Sequence, residues 1–178
     1  VGLWGRQGVV VFPSLLNRTT VDALKATALH TLKDETAIDR SDSIRESGIG
    51  GSLRSLRAVS VSAYREALGA LASKLAPFLA GALNDERQLM LGSSVLRTSP
   101  GAKAQGWHRD NSLRDDRLAK AQIALGEQAA GQGVIEVQPA THNRLDKDPK
   151  EGNMRDEMSI GVPMAVPAGT VVFYAPTL

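Results

Sequence analysis

The sequence predicts an α+β fold with a mainly β core: a double-stranded β-helix, the jelly roll of cupin-like proteins, with N-terminal helices packed outside it. Three observations carry that expectation. After one short strand, residues 1–85 repeat apolar side chains at helical period. From about residue 86 the pattern changes to short apolar runs separated by Gly, Pro and charged turns. Many short strands following a helical segment suggest two packed sheets with helices on the outside. A chain of 178 residues is normally one domain. Residues 1–178 are therefore read as a single domain, with strand and helices in 1–85 and jelly-roll strands in 86–178.

The elements follow in order. Val9–Phe12 is a continuous apolar run between Gly8 and Pro13 and reads as a buried strand. Thr19-x-x-Asp22 has capping-box spacing, and Val21, Leu24, Ala28 and Leu32 then recur at helical period. Residues 40–55 are rich in Ser, Gly and Arg and read as a loop. A second helix is expected over 62–83, with Leu68, Leu71, Leu75, Phe78 and Leu79 on one face and Pro77 kinking or splitting it. Strands are expected at 89–98, 118–125, 134–137, 158–161, 164–166 and 170–174. The charged stretch 144–157 reads as a surface loop, and there are no internal repeats.

Composition narrows the function classes. With 42% hydrophobic and 22% charged residues the chain has the make-up of an ordinary globular protein. A net charge of +2 with both signs interspersed argues against a nucleic-acid partner. The isoelectric point of 9.1 reflects only a small excess of Lys and Arg. There is no cysteine, so a disulfide framework and a thiolate metal site are both excluded, and any metal must use His and carboxylate. With no long apolar run and no signal-peptide pattern, no membrane association is expected and the chain reads as intracellular, in the cytoplasm or, as the alternative, an organelle. Val1 is not an initiator Met, so the start reads as a cut or processed end.

The chemistry concentrates at Gly106-Trp107-His108-Arg109-Asp110. In a β-strand, residues i and i+2 point to the same face, so His108 and Asp110 would converge on one point. An imidazole and a carboxylate so placed supply two ligands of the 2-His-1-carboxylate facial triad, which holds non-haem Fe(II) with positions open. The alternative is a salt-bridged pair on a surface strand. His142 is open to two readings, a third metal ligand or a turn residue. His30, among Ala, Leu and Thr in the first helix, reads as a surface or boundary residue, and Trp107 as packing.

Three blocks set the pair in context. Thr98-Ser99-Pro100-Gly101 leads through Gln105 to Trp107-His108-Arg109-Asp110. Gly133-Val134-Ile135-Glu136-Val137-Gln138-Pro139-Ala140-Thr141-His142 follows, and then Val166-Pro167-Ala168-Gly169-Thr170-Val171-Val172-Phe173-Tyr174. In this order the chain resembles the phytanoyl-CoA dioxygenase family of Fe(II)/2-oxoglutarate oxygenases, from the opening Gln7–Pro13 segment onward. It departs from that family's pattern at Ala140-Thr141, where Gly-Ser is usual, and at Thr170, where Asp is usual.

The resemblance implies His108 and Asp110 as catalytic iron ligands and Fe(II), 2-oxoglutarate and O2 as cofactor and co-substrates. It implies a turn or supporting role for His142, whose counterpart does not bind iron. Gln105 is a candidate contact for 2-oxoglutarate, the alternative being a plain loop residue. Asn111 and Arg114 either line the mouth of the site or are solvated loop positions. The implied reaction couples oxidative decarboxylation of 2-oxoglutarate to hydroxylation of a small organic substrate. The family's second iron-binding His and its 2-oxoglutarate Arg follow the strand matching 170–174. The domain is therefore expected to be incomplete, this stretch inactive by itself, and strand 170–174 left at an unpaired sheet edge. The competing expectations are a catalytically silent jelly-roll binding module and a cupin-type sugar isomerase or epimerase. Oligomeric state is not legible.

Overall fold

The computed structural model describes residues 2–34, 54–59, 64–83, 92–102, 107–108, 110, 118–142 and 161–175. Among them the helices are α1 (Gly2–Gln7), α2 (Arg18–Lys33) and α3 (Arg65–Leu83). The strands are β1 (Val9–Phe12), β2 (Arg54–Val59), β3 (Ser93–Thr98), β4 (Lys120–Ile123), β5 (Glu136–Val137), β6 (Val162–Pro163) and β7 (Val171–Tyr174). All pairings are antiparallel, in sheets ordered β1-β7-β4, β2-β3 and β5-β6.

Their place in the sheet β1-β7-β4 explains why β1 and β7 are apolar at consecutive positions: both faces are covered there. Phe12, Val171 and Ile123 stand side by side across the three strands. They pack with Leu24 and Ala28 of α2, Leu71 and Leu75 of α3, and Val59 and Val95 of β2-β3 in one core. Val11 and Val172 point the other way and pack with Val137 of β5 and Met164 in a second core. Burying a Val or Phe side chain stabilises by roughly 1.5–3 kcal/mol, so β7, which contributes to both cores, is central to the fold. It is also central in the pairing. The expectation of an unpaired edge at 170–174 is overturned, because β1 takes one side of β7 and β4 the other.

Several local expectations are corrected. α2 is capped by Asn17, whose Oδ1 accepts a 2.9 Å hydrogen bond from the Thr20 amide. Asn is as strong a cap as the Thr of the predicted capping box, and Asp22 instead pairs with Arg18 at 3.2 Å on the surface. α3 is not split at Pro77 but runs through it. Pro77 and Ser73, whose carbonyl loses its amide partner, lie on the exposed side, where water can substitute. Next to it, Phe78 turns inward and joins Phe12, Phe173 and Trp4 at centroid distances of 5.1–5.9 Å. That contact anchors α1, a helix with no signal in the pattern. β2 begins at Arg54, inside the stretch read as loop, and β6 lies at Val162–Pro163, ahead of the predicted 164–166. The remainder of the 40–55 loop, the strand expected at 158–161 apart from Gly161, and the loop at 144–157 lie outside the described residues.

Candidate functional site

His108 and Asp110 sit in irregular backbone rather than in a strand, so the expected pleat does not bring them together. The two sides of their surroundings do. The Trp107 ring lies against Gly161, just before β6, where a Cβ would collide with it. On the opposite side Asp110 is held by β4 and β7. Lys120 Nζ is 3.0 Å from Asp110 Oδ2, and the Tyr174 hydroxyl donates to the same oxygen at 2.8 Å. Lys120 and Tyr174 are direct partners in the β4–β7 register, which puts both side chains on one face of the sheet. Tyr174 packs with Val9, Val11, Val172, Val137 and Met164, so that face is the one turned to β5 and β6.

His108 Nε2 lies 3.4 Å from Asp110 Oδ1. That is long for a hydrogen bond but short enough for one ion to touch both atoms, since ligand distances near 2.1 Å are usual for a first-row divalent metal. The donor set is therefore right in chemistry and spacing for part of a metal site. His142 does not complete it: among the described residues no three His, Cys, Asp or Glu side chains group to hold a metal. His142 is in a turn and packs on Gly8, whose missing Cβ makes room for the imidazole. His30 is exposed on α2. Gln105, Asn111 and Arg114 lie outside the described residues. The hollow lined by Glu127–Ala130 and Ala165–Pro167 includes none of the site residues.

The electrostatics of Asp110 are set by opposing effects. Burial pushes its carboxyl up, but the His108 imidazole, the charge and hydrogen bond of Lys120, and the Tyr174 hydroxyl together outweigh burial. The carboxyl is held well below the usual carboxylate range and is ionised, the form a metal requires. The Tyr174 phenol moves the other way, raised first by burial and then by the charge and hydrogen bond of Asp110. It remains a donor.

Lys120 and Tyr174 escaped the sequence reading. The signal was present in Lys-Ala-Gln-Ile at 120–123, where a polar residue alternates with an apolar one. Lys120 and Gln122 share the face turned to β5 and β6, while Ile123 faces the helices. Recognising this needed the pairing partner, since only Tyr174 on β7 identifies which face meets Asp110.

An imidazole and an ionised carboxylate side by side, in a chain without thiolates, have the donor chemistry of part of a histidine–carboxylate metal site. A model of the family described as Phytanoyl-CoA dioxygenase (PhyH) matches residues 4–178. The chain belongs to that family. Its fold is shared with the non-heme alpha ketoglutarate dependent carbocyclase SnoK from nogalamycin biosynthesis, whose crystal structure aligns with a TM-score of 0.61 at 22% identity. The alignment covers 99% of this chain and 73% of SnoK. A comparison with curated proteins finds no match. Among the described residues no helix is long and apolar enough to cross a membrane.

Proposed function

We propose that the chain is the core of a non-haem Fe(II)/2-oxoglutarate-dependent dioxygenase, built as a jelly roll, that hydroxylates a small organic substrate. The single observation that carries this reading is the pairing of His108 Nε2 and Asp110 Oδ1 at 3.4 Å in a chain of this family. His108 and Asp110 would hold the iron, and Gln105 would contact 2-oxoglutarate. The iron-binding His and the co-substrate Arg of the family pattern would come from outside residues 1–178. When bound, iron with 2-oxoglutarate and O2 supplies the oxidising power for attack on a C–H bond.

The protein's own tasks are narrower. His108 offers a ring nitrogen, Asp110 a fixed negative charge, and the apolar residues Val9, Val11, Val172, Val137 and Met164 keep water from the sheet behind them. The SnoK fold likeness supports a co-substrate of the same kind.

The test measures Fe(II) binding and succinate formation from 2-oxoglutarate in the full-length protein. His108→Ala and Asp110→Ala should each lower metal affinity by more than the roughly ten- to hundredfold typical of losing a supporting partner, and should abolish turnover. His142→Ala should leave iron binding largely intact. Absence of both Fe(II) binding and succinate formation in the parent protein would leave the silent binding module as the better reading, and normal iron binding without either ligand would place the iron elsewhere.

A further inference from the structure

We infer that Lys120 and Tyr174 are positioning residues that commit Asp110 to one oxygen: they cap Oδ2 from the sheet and leave Oδ1, beside His108, as the one carboxylate oxygen offered to the metal. The inference rests on the functional reading above and adds to it which carboxylate oxygen is used and what enforces that use.

The geometry is specific. Asp110 Oδ2 has the Tyr174 hydroxyl at 2.8 Å and Lys120 Nζ at 3.0 Å, whereas Oδ1 has His108 Nε2 at 3.4 Å. Two strong donors therefore converge on one oxygen, and the other faces the second candidate ligand. Both donors come from neighbouring positions on paired strands, so their spacing is fixed by the sheet and not by the loop that carries Asp110. Such an arrangement matters because Asp110 has no strand of its own to orient it. A carboxylate free to turn would present either oxygen or both, and binding through both would use a coordination position needed elsewhere. Partners that orient a ligand typically contribute about ten- to a hundredfold in metal affinity.

The prediction separates from the functional reading in one experiment on the full-length protein, with Co(II) alone as the probe. Affinity is measured by titration. Infrared difference spectra of aspartate-labelled protein give the splitting between the two carboxylate stretches, which is wide for one-oxygen binding and narrow for two. Asp110→Asn should lose the ion, which tests the site itself. Tyr174→Phe should bind Co(II) about ten- to a hundredfold more weakly, with an unchanged far-UV spectrum and a narrowed splitting. Lys120→Met should narrow the splitting as Oδ2 is released, and Lys120→Arg should restore it.

Unchanged affinity and splitting in Tyr174→Phe, with Asp110→Asn still losing the ion, would overturn the positioning role and leave the site standing. Retention of Co(II) by Asp110→Asn would overturn the functional reading instead. If Tyr174→Phe does not fold, the Lys120 variants decide, and a wide splitting in Lys120→Met rejects the proposal.

Discussion

Ala140 adopts φ +67°, in the left-handed region that costs a residue with a Cβ roughly 1–2 kcal/mol. It occupies a position where the family pattern usually has Gly, and the turn explains that preference. The turn is firmly tied: Ala140 N donates to Gln7 O at 2.8 Å and the buried Thr141 hydroxyl donates to Gln138 O at 2.8 Å. Ala140→Gly should therefore stabilise the protein by up to about 1 kcal/mol, after allowing for the extra freedom of Gly in the unfolded chain. A urea titration checks this, and an unchanged or lowered midpoint would mean the turn already relaxes around Ala140. At this same scale the sequence reading divides cleanly. The closeness of His108 and Asp110 was legible from the three blocks that frame them more than from their spacing, since irregular backbone and not a strand pleat brings the two side chains to 3.4 Å. Lys120 and Tyr174 were not, because a lysine or a tyrosine in a strand is commonplace until its cross-strand neighbour is known. Gln105 lies outside the described residues, and its role stays with the proposal.

Elements were legible where both faces of the chain spoke together. β1 and β7 were found nearly to the residue because they are covered on both faces and flanked by Gly or Pro. α2 and α3 were found from their apolar stripes, the errors being the cap of α2, which is Asn17, and the interior of α3, where Pro77 was tolerated on the solvent side. α1 was invisible: a six-residue helix held by the contacts of Trp4 with Phe78 and Phe173 leaves no period to detect. The turn entering β7 shows how much an element can depend on one backbone position. Gly169 has φ +84°, and a Cβ there would run into the carbonyl oxygen of Leu16. That carbonyl cannot retreat easily, because Leu16 N is hydrogen-bonded to Gly169 O at 3.0 Å, and Gly169 N to Ala124 O at 2.8 Å. Gly169→Ala should destabilise by about 2 kcal/mol or more, combining backbone strain with overpacking. Calorimetry showing a melting temperature equal to the parent's would contradict the close approach.

For the whole molecule, one strand links two apolar cores and the candidate site: Val171 belongs to the first core, Val172 to the second, and Tyr174 reaches Asp110. The site and the global fold should consequently be lost together. The two tyrosines report on this, because they are the only ones in the chain. Tyr64 is raised by burial, against a smaller lowering from its hydrogen bond with Thr31. Tyr174 is raised by burial and then by Asp110. An unfolded tyrosine titrates near pH 10. With both folded values above that, the stabilising contribution is fully present below about pH 10 and is lost as pH rises towards the folded values, because the unfolded chain then holds fewer protons than the native one. In the metal-free protein, phenolate absorbance should therefore stay flat through that pH and rise only together with loss of the far-UV circular dichroism signal. A gradual phenolate rise while the dichroism remains native, and that persists in Tyr64→Phe, would show that Tyr174 ionises in place and that its hydrogen bond to Asp110 does not hold the proton.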